Sequence, residues 1–119
     1  MAAHNELGKL GEEMAVDFLI EKGYAILERN WRYQKSEIDI VCRINDTLAI
    51  VEVKTRSSIE IGLPIDAVNT KKIRLLTRAV DEYVCARDLD VEVRFDVISI
   101  YKKDNSFVIE HLTGAFYYF

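Results

Sequence analysis

The stretch SEIDIVCRINDTLAIVEVKTR, Ser36–Arg56, decides how the rest of the chain is read. It holds two runs rich in apolar and β-branched residues, SEIDIVCR and TLAIVEVKTR. Between them lies Asn45-Asp46, a pair suited to a tight turn. Two strands joined as a hairpin follow. Strand side chains alternate between faces. In the first strand Glu37, Asp39 and Val41 then share one face, and Ile38, Ile40 and Cys42 the other. In the second, Leu48, Ile50, Glu52 and Lys54 share a face, and Ala49, Val51 and Val53 the opposite one. Each strand thus has an apolar face and a face that becomes charged toward one end.

A two-residue turn at Asn45-Asp46 pairs Ile44 with Thr47, Val41 with Ile50, Asp39 with Glu52 and Glu37 with Lys54. A four-residue loop keeps that register, and a three-residue loop shifts it. Facing residues in an antiparallel pair have Cβ atoms about 5 Å apart. Two like charges at ~5 Å repel by about 3 kcal/mol at an effective dielectric of ~20. A raised pKa on one carboxylate relieves this, and so does a divalent cation between them. Lys54 adds one positive charge where it could hold a water or a developing negative charge. The plainer reading is a salt-bridged rim of Glu37, Glu52 and Lys54 at a sheet end.

Working outward, Leu7, Leu10, Met14, Phe18 and Leu19 recur at helical spacing, predicting a helix from Glu6 to Lys22 with Asn5 as N-cap and Gly23 as its stop. Gly8 and Gly11 let that helix press close to a sheet, which aims Glu12 inward. Tyr24 to Trp31 reads as a strand, and Ser57 to Pro64 as a loop broken by Gly62 and Pro64. A second helix runs from Thr70 to Ala86, with Thr70 as N-cap and Ile73, Leu76, Val80 and Val84 as its buried stripe. Val91–Tyr101 and FVIEHL, Phe107–Leu112, are two more strands. The order α-β-β-β-α-β-β implies an α/β structure with both helices against a mixed sheet of about five strands.

The bulk numbers fit this. A chain of 119 residues, half of them apolar and 30% charged, is expected to form one domain with a real core. Cys42 and Cys85 lie in a strand run and a helical run and read as reduced, buried thiols of a cytoplasmic protein. The N-terminus lacks a signal-peptide pattern, and no apolar run is long enough to span a bilayer. The net charge of −4 counts against binding nucleic acid by charge alone. It is compatible with carboxylates gathered around a cation.

The basic residues cluster in two places. Arg29, Arg32 and Lys35 surround Trp31, which reads as core, with a stacking surface as the alternative. Lys71, Lys72, Arg74 and Arg78 give the second helix a basic start and side, although cations near a helix N-terminus oppose its dipole. With Lys54 and Arg56 they form a strip suited to phosphates. Arg94 and Asp96 read as a structural ion pair. His4 and His111 show no metal-ligand spacing. The tail GAFYYF, Gly114–Phe119, suits either docking on the core or a dimer contact.

The acids and the lysine also carry a resemblance. EIDIV, followed by EVK thirteen residues after its Asp, resembles the PD-(D/E)XK nucleases of restriction-endonuclease-like fold. GKLGEEMA, ERNWR, SEIDIV, VEVKTR, AVNTKK and RFDV stand in the order of the YraN-like family of predicted endonucleases, over Gly8 to Ile100. That family is similar in motif layout to archaeal Holliday junction resolvases. The resemblance implies a restriction-endonuclease-like domain that cuts DNA, branched or junction DNA above all, with Mg²⁺ or Mn²⁺. It implies Asp39, Glu52 and the Val53 carbonyl as metal ligands and Lys54 as the residue that positions the attacking water. Glu12 approaches the site from its helix, and Glu37 is auxiliary beside it. Arg29, Arg32, Arg56, Lys71 and Lys72 are the residues expected to meet DNA. Cutting both strands of a junction would call for a homodimer. Ser36 stands where the family usually has Gly, which bears on how closely substrate approaches. The rival expectations are a non-catalytic nucleic-acid-binding or scaffold protein, and a small interaction domain whose charged strand end is only a rim.

Overall fold

The computed structural model describes residues 5–56 and 70–116, with seven elements. They are α1 (Asn5–Glu21), β1 (Ala25–Tyr33), β2 (Ser36–Ile44), β3 (Thr47–Arg56), α2 (Thr70–Ala86), β4 (Glu92–Lys103) and β5 (Ser106–Phe116). The order is α-β-β-β-α-β-β, as the sequence predicts, and the strands form one five-stranded mixed sheet in the order β1-β2-β3-β4-β5. Only β3 and β4 run parallel, because α2 lies in the crossover between them. The expected loop over 57–64, the last residues of the aromatic tail, His4, and the capping side chains of Asn5 and Thr70 lie outside the described residues.

Each face of the sheet buries one helix. On one side Ala15, Val16 and Leu19 of α1 pack on Ile40, Cys42, Ala49, Val51, Ile98 and Ile100. On the other, Leu76, Ala79, Val80 and Tyr83 of α2 pack on Ile38, Val41, Leu48, Ile50 and Phe95. At Gly11 α1 comes close to β3: a Cβ there would run into the Thr55 side chain. Gly8 meets nothing within 4 Å, so the close-packing role predicted for both glycines falls to Gly11 alone. Leu10, predicted on the buried stripe, is 46% exposed, because the contact face runs through Gly11, Ala15 and Leu19 instead. Cys42 is buried, but Cys85 is exposed, correcting the expectation of two buried thiols. It lies on the side of α2 away from Leu76, Val80 and Tyr83.

The helix ends follow from backbone chemistry. Gly23, at φ 98°, closes α1, with its N–H donating to the Ile20 carbonyl and the Tyr24 N–H to that of Leu19. This doubly bonded close needs a left-handed residue, which Gly supplies without strain. No described helix is long and apolar enough to cross a membrane.

The Asn45-Asp46 link sets the hairpin as predicted. Ile44 pairs with Thr47, and the register runs back to Ile40 opposite Val51. Beyond that point the ladder stops. The same level of the sheet carries a second irregularity. Arg29 pairs with Ile40 and Trp31 with Ile38, which leaves Asn30 opposite Asp39, and Asn30 has φ 52°. A left-handed residue in an extended strand breaks the two-residue alternation, and Asn tolerates it. Both strands change face there. Arg29 reaches acids on α1, while Trp31 and Tyr33 pack with the α2 cluster. Ile38 joins the α2 cluster and Ile40 and Cys42 the α1 cluster, so the predicted shared face of these three is corrected.

Candidate active site

Asp39 stands at this face change, between the two helical layers. The extended register would set it opposite Glu52, but the strands part there. Instead the Val53 N–H donates to Asp39 Oδ2 at 2.8 Å, so the side chain replaces a main-chain acceptor. Glu52 follows Leu48 and Ile50 on the α2 side of β3, above an apolar hollow lined by Ile38, Ile50, Leu76 and Phe95. Burial pushes the Asp39 carboxyl up from 3.8 to about 7, and the charge of Glu52 pushes the same way. The Val53 N–H opposes these effects without overcoming them, and Glu12 and Glu37 raise it further. The predicted cross-strand pair of Asp39 and Glu52 is not formed, because the ladder ends at Ile40 and Val51, but the charge of Glu52 still acts on Asp39 and, with burial, favours its protonated form.

The second carboxylate is answered differently. Lys72, in the first turn of α2, places Nζ 2.8 Å from Glu52 Oε2. Among the predicted DNA-contacting residues, Lys72 thus faces the acid pair. Arg29 lies 3.0 Å from Glu13 and 3.8 Å from Glu12, so it is committed to α1. Arg32 is exposed, 3.7 Å from Glu37. Lys71 is exposed on α2, and Arg56 is half-buried at the end of β3. Lys54 is half-buried on the face of Glu52, with no ion pair among the described residues. Glu12 is half-buried, and its charge adds to the upward push on the Asp39 carboxyl. Ser36 donates to the Leu75 carbonyl at 3.3 Å, which ties the β1–β2 link to α2.

Among the described residues no three His, Cys, Asp or Glu side chains gather into a metal-binding group. The site offers two carboxylates and main-chain oxygen. That set fits Mg²⁺, which is held by one or two carboxylates and keeps several waters for a phosphate to replace. The like-charge stress on Asp39 is the kind a dication relieves.

A second polar cluster, at the other end of α1, was only half legible. Arg94 donates twice to Asp96, at 2.9 Å each, which bears out the predicted ion pair. Asp96 is fully buried and also takes His111 Nε2 at 2.8 Å and the Gly114 N–H at 3.1 Å. Arg94 reaches the Tyr24 hydroxyl as well. Burial would raise the Asp96 carboxyl, but the His111 and Arg94 hydrogen bonds hold it below the usual range. His111, to which the spacing assigned nothing, is thus part of a structural lock. A buried Arg-x-Asp on one strand with a His on the next was the available signal.

A sequence profile of the uncharacterised protein family UPF0102 matches residues 11–100. A UPF0102 protein of Flavobacterium psychrophilum is 57% identical over 119 residues, the whole of both chains. One of Christiangramia forsetii is 55% identical over the whole of both chains. One of Phocaeicola vulgatus is 47% identical, over 98% of this chain and 97% of its own.

Proposed function

The chain belongs to the UPF0102 family, the YraN-like family of the motif resemblance, and from that premise we propose that it is a metal-dependent DNA endonuclease. The observation that carries this reading is Asp39. Its carboxyl is held near 7 by burial and by Glu52, yet it is kept in place by the Val53 N–H. An acid whose carboxyl is pushed up by burial and by a specific like charge is a recognised signal of a functional site. Asp39 and Glu52, with the Val53 carbonyl, would hold Mg²⁺ or Mn²⁺. When bound, the ion offsets phosphate charge and acidifies a water. Lys54, on the Glu52 face, orients the attacking water and stabilises charge that builds on the phosphate. Glu12 and Glu37 add to the negative field. Restriction-endonuclease-like architecture is part of this proposal, as are branched DNA as substrate and the homodimer that paired cuts require.

One observation favours the non-catalytic alternative. The Lys72–Glu52 contact neutralises one acid from within the protein, as a self-contained scaffold would. Incubation of linear, nicked, flapped and four-way-junction DNAs with Mg²⁺ or Mn²⁺ decides between them. The nuclease reading expects cleavage by the wild type and its loss in Lys54→Ala and Asp39→Asn. Cleavage unchanged by both substitutions, or absent with every DNA and both metals, rejects it.

A further inference from the structure

The acid pair has helices on both sides, and their surfaces differ in charge. On the α1 side Arg29 is already taken by Glu13 and Glu12. The exposed surface of α1 carries Glu6, Glu13, Asp17 and Glu21 against Lys9, with Lys22 just past its end. On the α2 side Lys71, Arg74 and Arg78 are all exposed, and none has an ion pair among the described residues. At 3.6 residues per turn they fall within about 60° of one another and span about 10 Å along the axis. The same face turns acidic at Asp81 and Glu82. The positive stripe is therefore confined to the end of α2 where Lys72 meets Glu52. The first turn of α2 has no acidic residue, against the preference of the helix dipole. The Ser36–Leu75 bond brings the β1–β2 link alongside, with exposed Arg32 and Lys35.

We propose that the sugar–phosphate backbone of DNA runs along the first half of α2 and past the β1–β2 link, and does not cross α1. This rests on the nuclease reading and assigns Arg74 and Arg78, rather than Arg29, to the substrate. Trp31 is not part of this track as a stacking surface. Its ring is half-buried and meets Tyr83 edge-on at 5.1 Å. Contacts along this track are to phosphates through a local basic stripe on an otherwise acidic chain, so this part of the binding is expected to be independent of base sequence and sensitive to salt.

The test is binding of a fluorescent four-way junction and a linear duplex across a salt series, without divalent metal so that no strand is cut. Arg74→Gln/Arg78→Gln on α2 and Lys9→Gln/Lys22→Gln on and just after α1 each remove two charges from exposed positions. Melting temperatures check that both variants are folded. The α2 variant is expected to bind about tenfold more weakly at moderate salt. Its slope of log affinity against log salt should fall by about 2, at ~0.9 per phosphate contact. The α1 variant should bind within about twofold of wild type. Equal losses in both variants, or wild-type binding by the α2 variant, overturn the track while leaving the nuclease reading in place. A wild type that binds neither DNA overturns both.

Discussion

Lys72 Nζ lies 2.8 Å from Glu52 Oε2, so a cation from the first turn of α2 holds one of the two acids on which the proposed chemistry depends. The lysine comes from the opposite layer, twenty residues along the chain. It occupies the charge that a dication would otherwise answer. On the proposed reading, a bound metal would compete with Lys72 for Glu52.

Lys72→Ala should separate those roles. Without metal the half-buried Glu52 loses its partner, and stability should fall by about 1 kcal/mol. With Mg²⁺ or Mn²⁺ the variant should gain more in melting temperature than the wild type, because no lysine need be displaced. Thermal denaturation with and without each metal measures both effects. A smaller metal-induced gain in the variant than in the wild type would refute the competition.

Asp39→Asn should stabilise the metal-free protein at alkaline pH. The carboxyl sits at about 7 in the fold and near 3.8 in the unfolded chain. A raised folded pKa contributes stability below 3.8 that is lost as pH rises through about 7. Asn keeps an acceptor for the Val53 N–H but never ionises. The gain should be on the order of 2 kcal/mol at pH 8, at roughly 1.4 kcal/mol per unit less relaxation, and small at pH 4. Urea denaturation at the two pH values reads it. An Asn variant less stable than wild type at pH 8 would mean that Asp39 is favourably ionised, as a salt-bridged rim requires.

Asp96→Asn should destabilise, by about 3 kcal/mol at pH 7, since it strips the charge from a buried ion pair that also holds His111 and Gly114. The folded pKa is depressed, so this stability is present above the ordinary carboxylate value and is lost as pH falls below it. The gap between wild type and variant should therefore narrow below about pH 4. A gap that stays constant from pH 7 to pH 3 would show that shape, not charge, matters at this position.

The two helix glycines predict opposite signs. Gly8→Ala meets open space and should stabilise by up to ~1 kcal/mol through helix propensity. Gly11→Ala drives a Cβ into Thr55 and should destabilise by about 1–3 kcal/mol despite the same gain. Melting temperatures of the two variants suffice. A Gly11→Ala protein as stable as Gly8→Ala would show that α1 can lift off β3 at no cost.

Local pattern made much of this legible. The helix over Thr70–Ala86 and the strand over Thr47–Arg56 appear with their predicted bounds, because each buries one face at its own period. Asn45-Asp46 fixed the register as far as Ile40 and Val51. The reading failed at Asn30 and Asp39, where a left-handed residue inside a strand shows no compositional mark. It failed again at Leu10 and Cys85, where helical spacing gave a stripe but not its centre.

Local pattern sufficed for the element order, the hairpin register as far as Ile40 and Val51, and the presence of two acids and a lysine near one strand end. These depend on neighbours within a few residues, where side-chain period and turn chemistry act. How the acids are balanced depends on contacts that form between layers. Asp39 turns between the layers and takes the Val53 N–H, Lys72 crosses from α2 to Glu52, and His111 closes on Asp96. Such contacts join residues 14, 20 and 15 apart, and burial and charge at those points exist only once the chain has folded.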